Sequence, residues 1–225
     1  MRGGGLTRKT AAMTTNYTSS LQRLRELPAT FSGRDLTVKF QWSSATASQY
    51  LANWRRAQLV RALGGHSDVY MNLVVAPQAD LEQALRRALP EAVRIGADVI
   101  RQAGWTTQIL QLPDIAVLSS SPRYKLIDFS LQTRSPKWFE LVRPGLTHPH
   151  GGIRRLAPAW ALADMLDRFL DRRVKGAWLV APDDLEFDEI AEDLDAPAAL
   201  AAFGLAPDSF TPAAYARIHD APNRV

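Results

Sequence analysis

The 225-residue chain contains no cysteine. That single absence excludes disulfides, thiolate metal sites and cysteine nucleophiles, and it fits a reducing compartment. Histidine is scarce as well: His66, His148, His150 and His219 are the whole complement. Histidine-based acid–base or metal chemistry therefore has few places to sit. No apolar run approaches the ~18 residues of a membrane span. The opening stretch MRGGGLTRKTAAMTTNYTSS is basic and rich in small residues, without the apolar centre of a secretory signal. A cytoplasmic protein without a membrane partner is the expectation. There is no glycine-rich strand-to-helix turn to cradle a phosphate and no nucleophile elbow. Neither an enzymatic activity nor a cofactor is expected. One local absence is more informative: from Ser43 to Gly65 there is no acidic residue.

Apolar residues make up 46% of the chain and charged residues 22%, the balance of a soluble globular protein with material for a sizeable core. At ~150 residues per domain the length allows one large domain or two small ones. The net charge of +4 is unevenly spread. Residues 1–75 hold ten basic side chains against three acidic ones, and the remaining 150 hold 17 against 20. A basic first third joined to a mildly acidic remainder suits contact with a polyanion. A solvated surface with chance asymmetry is the plainer alternative.

The hydrophobic pattern divides the chain. Leu21, Leu24 and Leu27 recur at spacing three ahead of Pro28, predicting a first helix. Ser32, with Asp35 three residues on, suits the start of a second, in which Leu36 and Phe40 share a face. A third begins at Ser43 or Ser44. AQLVRAL, the turn GGHSD and VYMNLVV then read as a hairpin, and a boundary falls near Ala76–Asp80. Beyond it, Leu81, Leu85 and Leu89 predict one helix, and Ile95, Val99 and Ile100 a second with a glycine stop. TTQILQL, DIAVLS, KLIDFSL and WFELV read as short strands between proline-bearing turns. APAWALADMLDRFLDRR is a strong helical pattern that starts at Pro158. GAWLVAP reads as a strand, and the Ala- and Pro-rich tail as one or two short helices. The expected fold class is α/β (α+β): a basic arm at 1–17, a winged helix-turn-helix at 18–76, and a mixed α/β domain at 77–225 with an acidic segment and a tail.

The third helix carries the functional argument. Ala47, Tyr50, Leu51 and Trp54 fall at i, i+3, i+4 and i+7 and form an apolar stripe for the core. The other side presents Ser44, Ala45, Thr46, Ser48, Gln49, Ala52, Asn53, Arg55 and Arg56, with no acid among them. An ordinary exposed helix mixes charge signs, because opposite charges four apart support it. A face without carboxylates suits proximity to phosphates. Gln49 and Asn53 are the side chains that pair with adenine edges, and arginine pairs with guanine. Ser44, Thr46 and Ser48 are short enough to hold phosphate or admit close approach. Arg61 on the incoming strand and His66 and Ser67 at the hairpin tip are expected at the sugar-phosphate backbone. Arg34 and Lys39 of the preceding helix are expected there too. A solvated helix face is the bland reading of all these polar positions.

The stretch FSGRDLTVKFQWSSATASQYLANWRRAQLVRALGGHSDVYMNLV resembles the winged-helix N-terminal domain of AbiEi-type antitoxins. GADVIRQAGWTTQI and GGIRRLAPAWALADMLDRF resemble motifs of that family's C-terminal domain. The resemblance covers about residues 18–175. It implies a transcriptional autorepressor, encoded beside a nucleotidyltransferase-like toxin that it counters without strong direct binding. It places the DNA-reading helix at Ser44–Arg56 and the wing at Arg61–Tyr70. The implied partner is double-stranded DNA of the protein's own promoter, with repeated half-sites that two copies occupy. The acidic run and the tail lie outside the resemblance.

Two other functions compete with this one. A metal-dependent nuclease on the C-terminal domain could use Pro113–Asp114, but the acid it needs two residues before Lys125 is replaced by Arg123. A winged helix can also serve as a protein-interaction module. His148 and His150 flank a proline in a spacing that is not a ligand pattern, so two solvated histidines are expected and no metal. Asp164, Asp167 and Asp171 stand four residues, or close to it, from Arg168, Arg172 and Lys175 in turn, and internal ion pairing is the simpler account. The eight acids between Asp183 and Asp195, unaccompanied by any base, read as a solvated surface.

Overall fold

The computed structural model describes residues 19–109, 112–121, 124–149, 152–171 and 173–221. The expected basic arm at 1–17 lies outside them, as do Arg123, His150 and Arg172. The described residues form an α+β fold. None of their helices is long and apolar enough to cross a membrane.

The first region runs α1 (Ser20–Arg25), β1 (Thr30–Ser32), α2 (Gly33–Phe40), α3 (Ser44–Arg56), β2 (Val60–Ala62), β3 (Gly64–Gly65) and β4 (Val69–Asn72). Ser32 and Asp35 form a reciprocal capping box at the start of α2, each side chain accepting from the other's backbone N–H. Gln41, with φ 53°, ends α2 in the left-handed region and turns the chain toward α3. Ser43 caps α3 by accepting from the Thr46 N–H. Leu24, Leu27, Phe31, Leu36, Ala47, Leu51, Trp54 and Val60 share one core beneath the helices. Leu21 stays outside it at 39% exposure. The Trp54 indole donates to the Ser20 hydroxyl at 2.6 Å and ties α1 to α3. Strand β1 is a finding the periodicity did not predict: three residues are too few to show one. It pairs antiparallel with β4, and β4 with β2, in the order β1-β4-β2. Buried Asn72 donates to the Leu24 carbonyl at 2.7 Å, a further bond to an oxygen that also accepts from the Leu27 N–H at 3.0 Å.

The second region runs α4 (Leu81–Ala88), β5 (Val93–Ile95), α5 (Ala97–Gln102), β6 (Asp114–Leu118), β7 (Lys125–Leu126), β8 (Ser130–Arg134), α6 (Pro136–Leu141), β9 (Leu146–Thr147), β10 (Arg154–Leu156), α7 (Pro158–Leu170), α8 (Phe187–Glu192), α9 (Ala196–Ala202) and α10 (Pro212–His219). A five-stranded sheet has the order β8-β6-β5-β10-β9. Its β6–β8 and β5–β10 pairs are parallel and the other two antiparallel. Helix α7 is the hub: every residue from Ala159 to Leu166 is buried.

Four sequence expectations are corrected here. WFELV is not a strand, because Ser135 caps it and Pro136 starts it as helix α6. Ile95 belongs to β5 rather than to the helix after it, which begins beyond Gly96. Among the described residues of TTQILQL only Thr106, its first, makes a β-bridge, to Leu185. GAWLVAP forms no described strand, although Leu179 and Val180 are buried.

The boundary near Ala76–Asp80 is a change of chain direction and not a gap in packing. Leu63, Val69 and Met71 of the hairpin share a core with Ala84 and Leu85 of α4 and Ile115 and Val117 of β6. Thr30 donates to Gln83 at 2.8 Å across the same boundary.

Candidate nucleic-acid interface

Helix α3 is split lengthwise. Ala47, Leu51 and Trp54 are buried, and Tyr50 is half-buried. Ser44, Ala45, Ser48, Gln49, Ala52, Asn53, Arg55 and Arg56 are exposed over a continuous arc. Thr46 is half-buried, its hydroxyl 2.9 Å from that of Ser43, so it supports the cap at the edge of the arc. The middle of the arc holds small side chains, Ala45, Ser48 and Ala52, which leave the helix backbone open to close approach. Gln49 and Asn53 lie one turn apart along one border. Arg56 donates to the Asn53 carboxamide oxygen at 3.2 Å, so these two are already coupled.

Along the other border lies a hollow of about 560 Å³ between α2 and α3. Arg34, Ser44, Ser48, Arg55, Asp68 and Tyr70 line it. Asp68 is its acid, and it is engaged: its carboxylate accepts from the Gly33 N–H at 3.1 Å at the start of α2. Burial first, and Asp68 second, push the Tyr70 phenol above its ordinary range, while Arg55 pulls it down. Arg55 is therefore close enough to Tyr70 to act on its phenol from the far wall of the hollow. It also lines a second hollow of about 680 Å³, shared with Arg61, His66 and Ser67 of the hairpin.

An aromatic stack holds the turn between α2 and α3. Trp42 lies 4.2 Å from Tyr50, ring centre to ring centre, and 4.8 Å from Phe40. The Arg23 guanidinium sits 5.0 Å from the Trp42 ring and donates to the Tyr50 hydroxyl at 3.0 Å. The relative angle of the two helices is thus set by packing and cation–π contact. Arg23 went unnoticed in the sequence. Its role depends on two rings brought together by the turn.

Two expected backbone contacts are otherwise employed. Arg61 donates through Nη2 to both carboxylate oxygens of Asp128, at 2.6 and 2.8 Å. Its charge is already matched by the second region. Lys39 donates to the Glu26 carbonyl at the end of α1. Arg34 is exposed. His66 is exposed with φ 65°, at the apex of the turn. The Ser67 hydroxyl accepts from the Val69 N–H at 3.1 Å and shapes that turn. The turn is also less free than GGHSD suggests. Gly64 and Gly65 pair antiparallel with Leu126 and Lys125. A Cβ on Gly64 would stand 2.4 Å from the Lys125 carbonyl oxygen, so only glycine permits this approach.

The other candidate sites sort differently. Asp164 is buried, pairs with Arg134 at 2.9 Å and accepts from the Trp138 indole at 2.7 Å, so its partners are long-range and not on its own helix. Asp171 pairs with Arg173. His148 is exposed. Among the described residues no group of three His, Cys, Asp or Glu side chains could hold a metal ion. Asp114 belongs to no such group, and Asp164, the acid nearest to it in the fold's interior, is already paired with Arg134.

No protein-family model matches the chain, and no curated protein matches it. Among solved structures it is similar to the RV2827C protein from Mycobacterium tuberculosis, a crystal structure, at 15% identity and a TM-score of 0.48. The match covers 89% of this chain and 80% of that one.

Proposed function

We propose that this protein is a sequence-specific DNA-binding repressor whose reading element is α3. The observation that carries the proposal is the exposed arc of α3, with two arginines, two carboxamides, two hydroxyls and no carboxylate. Helix, helix, helix and hairpin, with β1 closing the sheet, follow the order of a winged helix-turn-helix. In that arrangement α3 enters the major groove with its small central residues against the base edges. Gln49 and Asn53 read adenine, and pairing of Asn53 exchanges its bond with Arg56 for the base. Arg55 and Arg56 meet guanine or phosphate. Ser44, Ser48 and Arg34 hold one phosphate strand from the side of the hollow, and His66 and Ser67 approach the backbone from the turn. Arg61 and Lys39 have structural parts in this scheme.

The resemblance to AbiEi-type antitoxins extends the proposal. The repressed promoter is the protein's own, its half-sites are repeated, and a nucleotidyltransferase-like toxin is the genetic partner. Electrophoretic mobility shift on the promoter DNA, with unrelated competitor DNA at moderate salt, tests the core of the reading. A shift that survives competitor is expected. Its absence would overturn the assignment.

A further inference from the structure

The five-stranded sheet and α7 border a polar cavity of about 220 Å³ that DNA binding leaves unused. Its wall includes Asp114 at the start of β6, Gln132 and Arg134 on β8, Asp164 and Arg168 on α7, and Lys175. Three cations thus face two carboxylates, and one carboxylate is already committed. Asp164 is buried, gives one oxygen to Arg134 at 2.9 Å and takes the Trp138 indole N–H on the other at 2.7 Å. Arg134 is not equally satisfied. It is 7% exposed, and its Nε and Nη1 are buried without a partner among the described residues. Such donors carry a desolvation cost that a ligand oxygen relieves. Arg168 is pushed below the usual arginine range by burial first and by Arg134 second, while Asp164 and Asp114 act the other way. Asp114 accepts from the Gln132 carboxamide at 3.3 Å and keeps further acceptor capacity toward the cavity.

We propose that this cavity binds hydrogen phosphate. Arg134, Arg168 and Lys175 take its charged oxygens, and Asp114 accepts its remaining P–OH proton. The pairing of cations with one acceptor carboxylate selects an anion that still carries a proton. Inorganic phosphate keeps one at about pH 8, whereas sulfate and a phosphomonoester dianion have none. They would set bare oxygens against Asp114. The inference is independent of the DNA-binding proposal.

The test is isothermal titration of the full-length protein with inorganic phosphate at about pH 8 and constant ionic strength. Sulfate and glycerol phosphate serve as the comparison ligands. Saturable one-to-one binding of phosphate is expected, with sulfate and the monoester weaker by roughly tenfold or more. Arg168→Gln, checked for folding by circular dichroism, should weaken phosphate by a similar factor. Asp114→Asn should bring phosphate and sulfate together, since an amide donates to either. No saturable phosphate binding would overturn the proposal, as would sulfate binding equally well to the unaltered protein. Those two arms stand even where a variant does not fold.

Discussion

Trp54 is 1% exposed, and its indole N–H ends on Ser20, so truncation removes core volume and a hydrogen bond together. Trp54→Ala is expected to cost about 3–5 kcal/mol, read as a lower urea midpoint. Its neighbour Arg55 is exposed and makes no comparable contact. Arg55→Ala should leave the urea midpoint nearly unchanged and weaken promoter binding. If Arg55 meets phosphate, the slope of log affinity against log salt falls by ~0.9; an unchanged slope assigns it to a base. Gln49→Ala with Asn53→Ala should reduce the preference for promoter over unrelated DNA by about 1–3 kcal/mol per lost base pair contact. Equal preference before and after would remove these two from base reading.

The hairpin matters as an element. Its inner face, Leu63, Val69 and Met71, is core for the second region, and its tip pairs with Lys125–Leu126. Arg61 and Asp128 close the same contact. The turn beside α3 is thus positioned by the second region, which gives that region a physical route to the exposed arc of α3. Gly64→Val places a branched side chain against the Lys125 carbonyl and should detach β3 from β7. Hydrogen exchange should then speed up at the amides that bond β3 to β7 while α3 amides keep their protection. Uniform loss of protection would instead mean that the hairpin is needed for the whole fold.

Over the whole molecule, buried polar groups decide the response to pH. Burial raises the Tyr215 phenol well above its ordinary value of 10.0, and the hydroxyl donates to the Val180 carbonyl at 3.0 Å. The folded chain therefore keeps this proton at a pH where the unfolded chain has lost it. The contribution to stability is complete below the unfolded value and fades as pH rises beyond it. Tyr70 shifts in the same direction. The urea midpoint should fall as pH rises above about 10, and less steeply in Tyr215→Phe, which has no such proton. Parallel curves for the two proteins would assign the fall to other groups.

The local pattern determined most of the helices and the two faces of α3. Ala47, Leu51 and Trp54 are buried where a period of 3.6 places them, and Gln49, Asn53 and Arg56 are exposed. Caps were equally legible at Ser32 and Ser43, because a cap needs only its next three residues. What periodicity missed was set by an adjacent start signal at WFELV and by distant partners at the charged groups. WFELV looks like a strand until Ser135 and Pro136 start it as a helix against α7 and its neighbours. Asp164 looked like a surface acid in an ion-paired row until Arg134 and Trp138, 30 and 26 residues away, enclosed it. Arg61 looked free for phosphate until Asp128, 67 residues away, took its charge. Local sequence determines backbone period and which side of an element is apolar. Which charge meets which is decided only when the chain has closed, because pairing energy depends on distances in space that separation along the chain does not encode.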